Sequence, residues 1–241
     1  MEQRSIALDG PGGAGKSTLA RRAAQHFRLI YVDTGALYRC VGLFVLRNNV
    51  YTRDVVGVVR LLPEISIEMK YDKEGAQRML LGGEDVTDDI RRPEVSMGAS
   101  DVSAMPPVRE HLLSMQREMA EKYDVIMDGR DIGTVVLPNA GLKVFLTADP
   151  ETRAKRRYIE LIEKKVETTF EEVQRDMMVR DKNDSERTAA PLKAADNAII
   201  LDTTHLSLDG SFNALCEIII RADGQNGFVL SSRFASGGGG T

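Results

Sequence analysis

Apolar residues enter this chain in short runs, each closed by small or acidic residues. Positions 6–8 (Ile-Ala-Leu) end on Asp9 and a glycine cluster, after which 16–27 take helical composition. Positions 29–32 form a second apolar, β-branched run that closes on Asp33-Thr34-Gly35, and 36–46 follow as a mostly apolar helical stretch. Two strand-helix units so early predict a parallel sheet covered on both faces. The period then changes. A short helix over 53–62 leads into alternating positions at 66–69 and 77–80 around a turn at 72–75, the pattern of an antiparallel hairpin set into an α/β frame. Prolines open two further helices, over 93–105 and 107–123, where the missing N–H leaves no hydrogen bond unmade. Positions 125–128, 142–147 and 198–201 read as the remaining strands of a five-stranded sheet. Asp149-Pro150 starts a long charged helix, 170–180 continues as helix, 181–196 reads as a polar loop holding Pro191, and 207–221 is a closing amphipathic helix. From Asp223 onward glycine and serine dominate, which predicts a mobile tail over 223–241.

Composition narrows the class. With 241 residues, 42% hydrophobic and 28% charged, the chain is long enough for a packed α/β domain with an insert. Its 32 lysines and arginines stand against 36 aspartates and glutamates, a net charge of −4, which disfavours a general nucleic-acid coat or a polybasic membrane binder. An anionic partner must then be met by local arginines. Cys40 and Cys216 lie far apart without metal-ligand spacing, and His26, His111 and His205 form no ligand set, so none is a candidate site residue. The charged amino terminus has no secretory core, no apolar stretch is long enough to span a bilayer, and the expected location is the cytoplasm.

The strongest chemical signal is Gly10-Pro11-Gly12-Gly13-Ala14-Gly15-Lys16-Ser17, followed by Thr18, a G-x-x-x-x-G-K-[ST] loop placed after one strand and opening one helix. Glycines let backbone N–H groups curl onto phosphate oxygens, the helix N-terminus adds its dipole, Lys16 reaches the β- and γ-phosphates, and the Ser17 hydroxyl can ligate Mg2+. This selects a nucleoside triphosphate but not a reaction. A guanine-reading N-K-x-D loop is absent, since Lys182-Asn183-Asp184 has the wrong order. Arginines instead gather in the second half: Arg130 beside Asp131, then Arg153, Arg156 and Arg157, then Arg180 and Arg187 flanking Asp184. Guanidinium groups neutralise a phosphoryl group in flight without proton transfer. Asp128, ending an apolar strand, suits a Walker-B-type carboxylate that holds a metal-bound water.

Six blocks in one order are more specific than the loop alone: Ile6-Ala-Leu-Asp-Gly-Pro-Gly-Gly-Ala-Gly-Lys-Ser-Thr18, Val32-Asp-Thr-Gly-Ala-Leu-Tyr-Arg39, Gly83-Glu-Asp-Val-Thr87, Arg91-Arg-Pro-Glu-Val95, Met127-Asp-Gly-Arg-Asp-Ile-Gly-Thr-Val135 and Ala189-Ala-Pro-Leu-Lys-Ala-Ala-Asp196. From about residue 5 to 221 the chain resembles the bacterial cytidylate (CMP) kinases, members of the nucleoside monophosphate kinase family. The resemblance implies a P-loop kinase over 1–222 with a nucleotide-binding insert at about 51–97 and a helical lid at about 150–168. It implies transfer of the γ-phosphoryl group of ATP, with Mg2+, to CMP or dCMP. By the same resemblance Thr34, Arg39 and Arg130 meet the acceptor phosphate, Ser100, Arg109 and Asp131 touch cytosine, and Arg180, Asp184 and Arg187 surround the ribose and α-phosphate. Lys16, Arg130, Arg153 and Arg157 are the expected catalytic cations, with Ser17 and Asp128 at the metal. A monomer is expected. The readings weighed against this are another P-loop kinase for UMP, AMP or a non-nucleotide acceptor, a nucleotide switch or ATPase, and a scaffold acting through the insert and tail.

Overall fold

A computed structural model describes residues 4–222, so the tail expected after Asp223 lies outside the described residues. The elements run β1 (Ser5–Asp9), α1 (Lys16–Phe27), β2 (Ile30–Asp33), α2 (Thr34–Arg47), α3 (Val55–Leu61), β3 (Ile67–Tyr71), β4 (Gln77–Leu81), β5 (Glu84–Asp85), α4 (Pro93–Ser103) and α5 (Pro106–Lys122). They continue as β6 (Val125–Gly129), β7 (Leu142–Thr147), α6 (Pro150–Glu163), α7 (Phe170–Glu186), β8 (Ile199–Asp202) and α8 (Leu208–Ala222). Five strands make one parallel sheet in the order β2-β6-β1-β7-β8, and β3-β4-β5 make a small antiparallel sheet.

The continuous apolar runs follow from burial on both faces. Ile6 and Leu8 of β1 pack with Leu19 and Phe27 of α1 and Leu215 and Ile219 of α8, while Ala7, Val32 and Met127 face Ile132 and Val136 on the other side. A third apolar cluster joins Leu37 and Val41 of α2 to Met79 and Leu81 of the small sheet, so the insert shares a core with the frame. Its side chains also cover the free edge of β2. The Asp33 N–H donates to Gln77 Oε1 at 2.8 Å, and the Tyr71 hydroxyl donates to the Tyr31 carbonyl at 2.9 Å.

The five-strand reading and the hairpin hold, but three elements differ from expectation. Helix α7 continues to Glu186, so residues 181–186, expected as loop, are helical. Its last turns bear Arg180 and Asp184 on the face toward a cleft, which removes the apolar period that normally marks a helix. Strand β5 is two exposed residues, too short to show alternation. Residues Ile132–Val136 form a π-helical turn directly after Asp131.

In-register pairing sets Asp9 beside Gly129 and Asp33 beside Asp128 at the carboxyl edge of the sheet, where open α/β sheets bind ligands. Gly10 shows how tightly this edge is built: its φ is +148°, and a Cβ there would stand 1.9 Å from the Leu146 carbonyl oxygen. That obstacle is backbone and cannot swing aside. Gly10→Ala is therefore expected to destabilise the fold by at least about 3 kcal/mol, combining strain and overpacking, and thermal unfolding against the parent chain checks it.

Candidate active site

The carboxyl ends of β1, β2 and β6 open into a cleft of about 620 Å³. One wall is the glycine loop. Gly13 and Gly15 take positive φ values of 72° and 92°, turning the chain so that α1 begins at Lys16 with its N-terminal N–H groups free of any side-chain cap. Those free donors are what a phosphate requires. Lys16 is buried, and its Nζ donates to the Pro11 carbonyl at 2.8 Å. Burial and then the Arg130 charge push its ammonium well below the usual lysine value.

The sheet edge supplies carboxylates. Ser17 Oγ donates to Asp128 Oδ2 at 2.7 Å and the Tyr31 hydroxyl to Asp128 Oδ1 at 3.0 Å. Burial and the nearby Asp33 charge raise Asp128 above its ordinary value. Asp33 caps α2 by accepting from Ala36 N and lies 2.8 Å from Arg91 Nη2 and 3.6 Å from Arg39 Nη1. Burial alone would raise Asp33, but Arg91 and Arg39 outweigh it and hold the group at about 2. Asp9 accepts from the N–H groups of Ile132 and Gly133 at 2.7 and 2.8 Å, and burial still pushes it up to about 6. It pins the turn that follows Asp131.

The far wall is built of arginines paired with carboxylates. Arg130 Nε donates to Asp184 Oδ2 at 2.8 Å, and Ser100 Oγ donates to Asp184 Oδ1 at 3.4 Å. Against burial, Arg130 and Arg180 hold Asp184 below the usual carboxylate range. Arg109 pairs with Asp131, donates to the Ser103 carbonyl at 3.3 Å and lies over the Tyr38 ring. Arg187 donates to Ser103 Oγ at 3.1 Å and to Asp131 Oδ1 at 3.4 Å. Burial raises Asp131 despite both arginines. Arg180 is lowered to about 9 by burial and the Arg130 charge, and its Nε, like Arg39 Nη1, is buried without a hydrogen-bond partner. Unpaired guanidinium N–H groups in a cleft already crowded with cations point to a phosphate-bearing ligand.

Most residues expected at the site line this cleft: Gly12 to Thr18, Thr34, Arg39, Ser100, Arg109, Asp128, Arg130, Asp131, Arg157, Arg180, Asp184 and Arg187. Thr34 faces it with its hydroxyl donating to the Asp128 carbonyl at 2.8 Å. Gly10 and Pro11, which begin the loop, do not line the cleft. Arg153 is placed differently again: its guanidinium is buried and donates to the Ala148 and Gly12 carbonyls at 2.9 and 3.0 Å and to Asp181 at 2.6 Å. Arg157, one turn on, pairs with half-exposed Glu160 at 2.8 Å. Several residues in or beside the cleft had no site role in the sequence reading. Arg91 belongs to a quoted block but carried no expected role, and Arg156 stood in the arginine cluster; it reaches Thr203 Oγ1 and the Thr203 carbonyl at 3.0 and 2.7 Å, tying α6 to the loop before α8. Tyr31 and Asp9 sit in strands, where nothing in the spacing distinguishes a functional polar residue.

A glycine loop opening α1 at the edge of a five-stranded parallel sheet, facing paired arginines and carboxylates across one cleft, defines a P-loop phosphotransferase. Residues 6–221 match the family model described as cytidylate kinase. The chain is similar to a cytidylate kinase of Caldicellulosiruptor bescii, 48% identical over 221 residues, covering 92% of this chain and 97% of that one. A cytidylate kinase of Caldicellulosiruptor saccharolyticus is 46% identical over 93% of this chain and 99% of its own length, and one of Lactobacillus johnsonii 46% over 89% and 93%. The chain belongs to the cytidylate kinase family. Among the described residues no helix is long and apolar enough to cross a membrane.

Proposed function

We propose that the cleft moves the γ-phosphoryl group of ATP onto the phosphate of CMP or dCMP, giving ADP and CDP or dCDP. The observation that carries this reading is the Arg109-Asp131-Arg187 cluster, a buried carboxylate held between two guanidinium groups in the same cleft as the P-loop. Cytosine presents O2 and N3 as acceptors and its N4 amino group as donor. A guanidinium and a carboxylate match that edge, and a carboxylate held by two arginines keeps lone pairs for N4. Uracil offers O4 where cytosine offers N4, so Asp131 would face a second acceptor with no proton between them.

Lys16 and the free N–H groups of α1 receive the β- and γ-phosphates, and Thr34, Arg39 and Arg130 receive the acceptor phosphate. Asp184, with Arg180 and Arg187, holds the ribose and α-phosphate side. Ser17 and Asp128 suit Mg2+, because a hydroxyl and a carboxylate 2.7 Å apart at the loop mouth are the hard oxygen donors that ion takes alongside water and phosphate. Bound with ATP, the ion would neutralise charge on the transferring phosphates. No general base is needed, since the acceptor is already an anion, and the protein's task is alignment, charge cancellation and exclusion of water. Helix α6, carrying Arg153 and Arg157, forms the lid in this reading.

The test is ADP release with CMP, dCMP, UMP and AMP each offered with ATP and Mg2+. The reading requires release that depends on CMP or dCMP; acceptor-independent release, or faster release with UMP or AMP, would overturn it.

The two lid arginines should behave differently. Arg157→Ala is expected to lower kcat tenfold to a hundredfold with little change in the CMP KM, as for a group that meets charge mainly in the transition state. Arg153→Ala frees the Gly12 carbonyl and Asp181 together and should cost about 2 kcal/mol of stability as well as raising the ATP KM. Steady-state kinetics and melting curves separate the two, and unchanged turnover with weakened CMP binding in Arg157→Ala would count against its lid role.

A further inference from the structure

Tyr31 occupies a position where phenylalanine would fill the same space. It lies on β2 opposite Ile126 of β6, while Asp33 two residues on lies opposite Asp128. Residues two apart on a strand share a face, so the side chains of Tyr31 and Asp128 both point toward α1. Helix α1 meets them with residues one turn apart. Ser17 donates to one Asp128 oxygen at 2.7 Å, and the Arg21 guanidinium lies 5.5 Å from the centre of the Tyr31 ring. The Tyr31 ring packs in the apolar cluster with Ile6, Leu8 and Ile126, and its hydroxyl reaches the other Asp128 oxygen at 3.0 Å. The hydroxyl, not the ring, is what the core does not explain.

We infer that Tyr31 is a positioning residue for the magnesium side of the site, holding the Asp128 carboxylate so that the oxygen facing Ser17 stays directed at the metal's water shell. The inference rests on the roles proposed above for Ser17 and Asp128. The two donors on that carboxylate are not equivalent. The Ser17 hydroxyl is the group that would turn to a bound Mg2+, and its Asp128 oxygen would then be free to accept a hydrogen bond from water on that ion. Tyr31 has no such second task. Its hydroxyl, fixed by a buried ring and by the Tyr71 hydroxyl on its own carbonyl, stays on the opposite oxygen and keeps the carboxylate from rotating away. Residues that orient a metal's partners in this manner typically change metal affinity about 10–100-fold when lost.

The experiment measures the affinity of a non-hydrolysable ATP analogue with Mg2+ and with chelator, in the parent chain, Tyr31→Phe and Asp128→Asn. The ratio of the two affinities reports how strongly metal and protein cooperate, independently of turnover. Tyr31→Phe should cut that ratio about tenfold or more, leave the metal-free affinity within about twofold and leave the CMP KM unchanged. Near-parental melting establishes that the isosteric change keeps the fold. If Asp128→Asn collapses the ratio and Tyr31→Phe does not, the Tyr31 inference is wrong while the Asp128 assignment stands. If Tyr31→Phe weakens binding equally with and without metal, the residue merely braces the sheet and the inference fails. An unchanged ratio in Asp128→Asn overturns the Asp128 assignment, and the role of Tyr31 falls with it.

Discussion

Lys16→Ala is expected to lower turnover by about 10³-fold or more while the protein stays folded. In the cleft the ammonium is buried, has the Pro11 carbonyl as its hydrogen-bond partner, and lies near guanidinium groups of like charge. Removing it relieves burial and repulsion, so stability should hold or rise even as activity is lost. In the proposed transition state the same ammonium would meet negative charge spread over the β- and γ-phosphate oxygens, and a charge contact made by a buried group is stronger than one made in water. The neighbouring cations do not substitute for it. Arg130 is paired with Asp184 and is the cation proposed for the acceptor phosphate, and Arg153 is bonded to the Gly12 carbonyl and Asp181. The loss should therefore fall on kcat more than on the CMP KM. Turnover above a tenth of the parent value, with an unchanged melting temperature, would sink this account of the loop.

The sequence was most readable where burial on both faces makes a strand uniformly apolar. Ile6 to Leu8 and Val125 to Met127 are legible for that reason, and the loop at Gly10 to Ser17 because its glycines and lysine are tied by backbone geometry to one short segment. It was least readable where an element turns a polar face inward. Helix α7 carries Arg180 and Asp184 toward the cleft, so its final turns look like loop composition until the cleft is seen. Sites assembled from distant segments are likewise silent in spacing. Arg109, Asp131 and Arg187 converge from 22 and 56 residues apart, and only the resemblance of whole blocks to a known family brought them together beforehand. Residues that act by holding others are hidden more deeply. Asp9, whose carboxylate ties two N–H groups after Asp131, reads as the end of a strand, and Tyr31 reads as core.

Base choice is expected to reside in Asp131, and Asp131→Ala should lower the ratio of CMP to UMP catalytic efficiency by about 10²–10³-fold. In the parent cleft a buried carboxylate is fixed by Arg109 and Arg187, and the turn behind it is pinned by Asp9, so it cannot swing away from a mismatched base. In the proposed pose cytosine would give it an N–H donor, whereas uracil would give it a carbonyl oxygen, one acceptor facing another. A site that hydrogen-bonds one edge rejects the other because its own buried groups go unpaired. Alanine removes both the acceptor for N4 and the repulsion against O4, so CMP loses efficiency steeply and UMP loses little. Arg109→Ala should act otherwise: both pyrimidines keep O2, so both weaken and the ratio narrows less. The two variants also differ in what they strand, since losing Asp131 leaves two buried guanidinium groups without their carboxylate, while losing Arg109 leaves Asp131 still paired with Arg187. Efficiencies for both acceptors in both variants decide the point. An unchanged ratio in Asp131→Ala would mean that this carboxylate only braces Arg109 and Arg187, and the discrimination would pass to Ser100, whose hydroxyl faces Asp184 across the same cleft.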